Sequence, residues 1–530
     1  MQSMLRFCSP VHGIQISVLS PSFNVIFRRT LLVLAALIAG ATVSPTQAQN
    51  AWQGYAKNAQ HTAQSGVQSQ ALDTIAWQTP VDLQPQYSGD DLFIHYGSPV
   101  ITSANTVIVP VKTGVDDGFE LQARSGADGT LLWTQTTDYT LPPHGWTPSY
   151  SPTLTPQGRI YWAGAGGNLF YRSNLDAAGA VIPNQVNFYV TRKHKFSSSV
   201  QISTPLTSDA NGNIYFGFEV NGAVPKSPKA SGIARVDMNG QGTFVSVQIG
   251  KKKNKSTLQV ALNCAPALSN DGQTVYIAMH GTSLILNGSA GYLVALNSST
   301  LRVRNMVPLL DPQSGMPATL PGDGTASPTV GPDGKVFFGV LENPFTSDKG
   351  WLLQFNADLS QTASMTPGAF GWDDTASIVP ASMVPSYQGA SSYLLMTKYN
   401  NYAGVGGDGL NRIAILDPND SQVDARSGAT VMKEVLTIVG QTPDAEFSAD
   451  HPGAVREWCI NSAVVDPLSH SVLANSEDGK LYRWDLVTNS FTEVITLTSG
   501  IGEAYTPTII GADGKVYAIN NGTLFAIGGL

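Results

Sequence analysis

The stretch Ser327-Pro328-Thr329-Val330-Gly331-Pro332-Asp333-Gly334-Lys335-Val336-Phe337-Phe338 decides the fold. Its two ends read as short strands. The Asp333-Gly334 pair between them supplies the positive φ that a tight hairpin turn needs. The same phrase returns along the chain. Ser151-Pro152-Thr153-Leu154 leads through Gln157-Gly158 into Ile160-Tyr161-Trp162, and Thr204-Pro205-Leu206 through Asn211-Gly212 into Ile214-Tyr215-Phe216. Ala265-Pro266-Ala267 leads through Asp271-Gly272 into Val275-Tyr276-Ile277, and Thr506-Pro507-Thr508-Ile509 through Asp513-Gly514 into Val516-Tyr517-Ala518. Ser98-Pro99-Val100 and Asn461-Ser462-Ala463-Val464 open looser copies, and a degenerate one starts near Ile378-Val379-Pro380.

Outward from each hairpin a second one follows, as in Phe119 to Ala123 through Asp128-Gly129 to Trp133, or Gly479 to Asp485. Two hairpins per repeat make a four-stranded antiparallel sheet, and such sheets at regular spacing predict an all-β chain folded as a β-propeller. The openings at Pro99, Pro152, Pro205, Pro266, Pro328, Pro380, Ser462 and Pro507 give eight blades, or seven if the sixth copy is only an insertion. The last copy, ending in Gly522 to Ile527, has three strands. The segment Ile75-Ala76-Trp77-Gln78-Thr79-Pro80-Val81 is expected to close the ring as its fourth. Closure hides both sheet edges, which would otherwise invite aggregation.

Composition agrees with a large all-β chain. Of 530 residues only 13% are charged, against a usual share of about 25%. The low charge argues against a long coiled coil, and a hydrophobic share of 42% with 46 aromatic residues excludes a disordered chain. A formal charge of −8 argues against a general nucleic-acid binder, which needs surplus Lys and Arg for phosphates. Arg28 and Arg29, the apolar run Leu31 to Val43 and the small-residue segment ending at Ala48 read as a secretory signal over residues 1–48, with the propeller over 49–530. The run is too short to span a bilayer. The expected location is the periplasm or outside the cell. Cys264 and Cys459 either form one disulfide, which export permits, or are two buried small side chains. No Cys-x-x-Cys-His, EF-hand, Gly-x-Ser-x-Gly or His-Glu-x-x-His motif occurs.

Ala123 through Gly129 to Trp133, Ala295 to Thr300, and Trp484-Asp485 with Thr488 keep parts of a repeat with a Thr-Gly turn and a closing Trp. In these the chain resembles the PQQ-like β-propellers (PQQ is pyrroloquinoline quinone). Trp52 to Ala63 looks like the opening of many exported members. The resemblance covers residues 52–530 and implies the fold. For function it implies either a non-catalytic binding or scaffold propeller or a dehydrogenase of alcohols or sugars using PQQ and calcium. The adjacent Cys-Cys pair typical of the dehydrogenases is missing, and their calcium ligands have no matched positions, so catalytic residues are not carried over.

Residues just before each inner strand are expected at one mouth of the channel: His95-Tyr96, His144-Gly145-Trp146, Asp323, Trp372-Asp373-Asp374, Arg456-Glu457-Trp458 and Glu503-Ala504-Tyr505. Trp146, Trp372 and Trp458 suit a flat aromatic ligand, with Arg456 and His144 toward an acidic group. Asp373, Asp374 and Glu457 are the candidate acid–base or cation-holding groups. The competing reading has these side chains packing between blades or capping turns. Lys251, Lys252 and Lys253, with Arg192, Lys193, Lys195, Lys226, Lys229 and Lys255, crowd around the third copy. They are either a patch for an anionic surface or solvated loops.

Overall fold

In a computed structural model, residues 52–89, 91–189, 199–222, 227–250, 255–281, 289–320, 324–361, 364–500 and 507–529 are described. They form eight radial antiparallel sheets, a β-propeller almost without helix. Blades 1 to 4 occupy residues 100–136, 153–187, 200–245 and 259–308. Among the described residues blade 5 has three regular strands, Thr329–Val330, Val336–Val340 and Trp351–Phe355. Blade 6 is complete: Ser377–Pro380, Tyr393–Tyr399, Arg412–Val423 and Thr430–Val439. That excludes the seven-blade alternative. The sixth inner strand ends at Pro380, so its opening lies nearer Ala376 than the Pro380 expected from sequence. Blade 7 covers 464–496, and blade 8 has Thr508–Ile510, Val516–Asn520 and Thr523–Ile527.

Ile75–Pro80 closes blade 8 as expected, antiparallel to Thr523–Ile527, with Trp77 opposite Ala526 and Pro80 opposite Thr523. In place of a regular fourth strand, residues 364–368 run antiparallel along Trp351–Phe355. Leu352 and Gly368 exchange N–H to carbonyl bonds (3.1 and 2.9 Å), and Met365 donates its N–H to Gln354 O (2.9 Å). The outer hairpin of blade 6 packs against this segment. Met432 donates its N–H to Pro367 O (2.8 Å), Gln354 Nε2 reaches Pro418 O (2.9 Å), and Val431 and Met432 lie in the same core cluster as Leu352 and Phe355.

Blade-to-blade contact explains the residue types of the repeat. Inner-strand hydroxyls tie neighbours together: Thr329 Oγ1 donates to Ala376 O (2.8 Å) and Ser377 Oγ to Ala463 O (2.6 Å). Trp133 crosses from blade 1, donating to Leu175 O (2.7 Å) beneath the Arg172 guanidinium at 4.0 Å. Both cysteines are buried and free, so of the two readings the unpaired one holds. No helix among the described residues is long and apolar enough to cross a membrane.

The segment before the closing strand runs round the channel as a strap. Inner strands are sheet edges, and their N–H groups need partners. Ile101 N–H donates to Trp52 O (3.0 Å), Leu154 to Gln53 O (2.7 Å) and Leu268 to Ala59 O (2.7 Å). Val330 donates to Gln60 O (2.9 Å), Ile378 to Thr62 O (3.0 Å) and Val465 to Ala63 O (2.9 Å). These donors are the equivalent inner-strand residue in six of the eight blades. To follow this path the strap takes positive φ at Ala56 (44°), Lys57 (84°), His61 (58°) and Ala63 (53°). Such conformations cost about 1–3 kcal/mol each and persist only where the surroundings dictate them. Tyr55 crosses the channel: its hydroxyl lies 2.8 Å from Thr375 Oγ1, and its ring meets His61 edge-on at 5.2 Å. Tyr55, Ala56, Ala63 and Ala265 pack together as one buried cluster inside the ring.

Candidate functional site

Loops entering the inner strands share one face with the loops between second and third strands. On that face, between blades 5, 6 and 7, lies a cavity of about 270 Å³. Its aromatic lining is Trp372, Tyr402 and Phe447, and its carboxylates are Asp348, Asp444 and Glu457. Among the described residues no Lys, Arg or His lines it. The blade 6 loop makes room through a short 3-10 turn, Ala403–Val405, ended by Gly406 at φ 84°. A Cβ on Gly404 would come 3.3 Å from Phe447 Cζ, so glycine lets that ring close over the turn. Trp372 is held by its N–H on Lys349 O (3.0 Å), and Asp444 by its N–H on Ala454 O (2.9 Å). Burial lifts the Asp348 carboxyl above its ordinary range, and the Glu342 charge adds to the shift.

Trp372 and Glu457, two of the sequence candidates, therefore meet in one cavity. The others do not join them. Trp146 is half-buried on the loop from blade 1 to blade 2, stacked on His95 at 5.4 Å with Phe93 edge-on at 5.6 Å. His144 sits on the same loop, its Nδ1 2.6 Å from Pro142 O. Trp458 is a core residue of blade 7, enclosed by Tyr482 (5.3 Å) and Phe491 (5.9 Å). Its place just before the inner strand points it between blades instead of into the channel. Arg456 is half-buried, its N–H on Thr442 O (2.9 Å).

The paired acids have structural partners. Asp373, at φ 48°, accepts the Thr325 N–H at 2.7 Å. Asp374 is buried and accepts the Thr397 hydroxyl. Burial pushes its carboxyl up to about 6, against the opposing pull of Lys398 and that hydroxyl. Asp323, Glu503, Ala504 and Tyr505 lie outside the described residues, as do Lys251, Lys252 and Lys253.

A slot for a flat quinone is not assembled from the expected residues, because Trp458 has no open face and Trp146 and Trp372 stand on loops half a ring apart. Among the described residues, Glu457, Cys459 and Glu477 bring three potential metal-ligand atoms within 4.8 Å of one another. Cys459 Sγ donates to Glu477 Oε2 at 3.3 Å. Calcium takes six to eight oxygen ligands, so a set containing a thiol does not suit it. Sequence reasoning missed Tyr402, Asp444 and Phe447, although they lie in the long loops of the sixth copy. For Asp348 there was no signal.

No family model matches the chain, and no curated protein matches it by sequence. Solved structures do share its fold. A europium-containing methanol dehydrogenase superposes with a TM-score of 0.53 at 11% identity, over 89% of either chain. The quinohemoprotein alcohol dehydrogenase from Comamonas testosteroni gives 0.53 at 13%, over 94% of this chain and 84% of that one. BamB from Moraxella catarrhalis gives 0.45 at 11%, over 86% of this chain and 98% of that one. At these identities the similarity is one of architecture, and a propeller serves many functions.

Proposed function

We propose that the chain is an exported propeller acting as a binding or scaffold module, in the cell envelope or outside the cell, with the loop face between blades 5 and 7 receiving a basic side chain of a partner protein. The observation that carries this reading is the cavity lining: three aromatic rings and three carboxylates with no base among them. An ammonium or guanidinium over an indole face is attracted by the ring quadrupole, and carboxylates at the rim add ionic partners. Two further features favour binding over catalysis. Asp373 and Asp374 accept hydrogen bonds from Thr325 and Thr397, and Tyr55 of the strap is buried with Ala56, Ala63 and Ala265 inside the ring. Export rests on the signal-like N-terminus. The PQQ- and calcium-dependent dehydrogenase remains the alternative reading, and it lacks an assembled slot.

Fluorescence polarisation with a labelled Arg-Gly repeat peptide tests the proposal, with a Glu-Gly peptide as control. Saturable binding of the basic peptide alone is expected, falling with added salt and weakened about fivefold or more in Trp372→Ala and in Asp444→Asn. Equal binding of both peptides, or variants that bind like the parent, would overturn it.

A further inference from the structure

A second cavity, of about 280 Å³, lies between blade 5 and the outer hairpin of blade 6. Gln313, Glu342, Lys349, Trp351, Asp424 and Arg426 contribute to its wall. Lys349 is only 9% exposed. Among the described residues its ammonium makes no hydrogen bond or ion pair, and it stands over the Tyr399 ring, 5.8 Å from the centroid. A buried ammonium without a counter-ion is unfavourable unless something pairs with it. Burial lowers the pKa of this amine, with Arg426 and Arg412 lowering it further and Asp424 and Asp408 opposing.

The carboxylates nearby are engaged elsewhere. Glu342 accepts the N–H groups of Thr346 (3.1 Å), Ser347 (2.6 Å) and Gly350 (2.7 Å), and the Ser347 hydroxyl (3.0 Å). Those bonds hold its carboxyl below the usual range despite burial. Asp424 Oδ2 accepts the Ser427 N–H (2.7 Å) and hydroxyl (2.6 Å). Asp408 pairs with Arg412 at 3.2 Å. Asp348 faces the neighbouring acidic cavity. Arg426, exposed at the rim, donates to Asn401 Oδ1 (2.8 Å) and Val405 O (2.7 Å). A guanidinium has five N–H donors, so these two bonds leave donors for a ligand.

We infer that this cavity binds a small organic anion, a carboxylate or a phosphate monoester, whose oxygens pair with the Lys349 ammonium inside and the Arg426 guanidinium at the rim. The site is separate from the acidic cavity and opposite to it in the charge it takes. It therefore stands or falls independently of the proposed function.

Isothermal titration of the purified protein at low ionic strength provides the test, with succinate, inorganic phosphate and uncharged 1,4-butanediol as probes. At least one anion should bind saturably and the diol should not. Succinate alone assigns a carboxylate ligand, and phosphate alone a phosphate monoester. Lys349→Met should weaken binding tenfold or more and Arg426→Gln severalfold, while Lys349→Arg keeps part of it. Affinity should fall as pH rises, at lower pH than an ordinary lysine would give, since the ammonium form binds. Lys349→Met replaces a buried charge by an apolar chain of similar length, so its unliganded melting temperature should not drop. Absence of saturable binding by either anion, or unchanged affinity in Lys349→Met, would overturn the inference.

Discussion

Replacing Trp77 by Ala probes the ring closure at one side chain. Trp77 is 9% exposed in the closing strand, donates Nε1–H to Gly126 O across to blade 1 (3.2 Å), and lies 5.7 Å from the Tyr517 ring. Gly129 packs so closely that an added Cβ would stand 2.7 Å from Trp77 Cδ2, so the cavity left by truncation cannot easily collapse from that side. Losing a buried Trp costs about 3–5 kcal/mol. Unfolding entropy of about 2.1 cal/mol/K per residue gives about 1 kcal/mol/K for a ring of this size. Scanning calorimetry should therefore show Trp77→Ala melting about 3–5 °C below the parent as one cooperative transition. Val423→Ala, at a side chain 68% exposed, is the control and should shift little. A Trp77→Ala protein melting within about 1 °C of that control would refute the reasoning, because the strand would then be a tail.

Glu219 is 1% exposed, and burial pushes its carboxyl up to about 7 against the pull of Asn221. The folded protein thus favours the neutral form. The stabilisation this gives is complete below about pH 4.5 and lost as pH rises through about 7. Glu219→Gln should accordingly be more stable than the parent at pH 8, by up to about 3 kcal/mol, and no more stable at pH 4.5; denaturant melts that show no pH-dependent difference would contradict this. Cys264 and Cys459 should be unreactive toward a thiol reagent until the protein is denatured, burial having pushed the Cys264 thiol up to about 12. Peptide mapping that recovers the two cysteines as a disulfide-linked pair would contradict the free-thiol assignment. Tyr55→Phe removes the buried hydroxyl that bonds Thr375 and should cost about 1–2 kcal/mol, and a denaturant midpoint equal to the parent's would show that this strap contact adds no stability.

Turn chemistry made the fold readable. Asp333-Gly334 and its counterparts fix hairpins locally, with Gly334 at φ 86° and Gly514 at φ 86°. An unpaired third strand at the chain's end announced the need for Ile75–Pro80. The strap was not legible, because residues 52–65 have no strand period and take their shape from six separate blades. Nor was the irregular outer edge of blade 5, where residues 364–368 pair with Leu352 and Gln354 without a regular strand pattern. For the site, position before an inner strand identifies the correct face but not which way a side chain turns. That one ambiguity sent Trp458 into the core and left Trp372 in the cavity. Lys349 had no sequence signal, since its isolation depends on Glu342 and Asp424 being engaged by their own loops.

The binding role proposed for this propeller involves no quinone catalysis. Its most direct test is titration of the protein with PQQ and calcium, following Trp fluorescence together with dye-linked oxidation of alcohols and sugars. No saturable quenching and no turnover are expected of that role. Tight quenching accompanied by calcium-dependent turnover would contradict it.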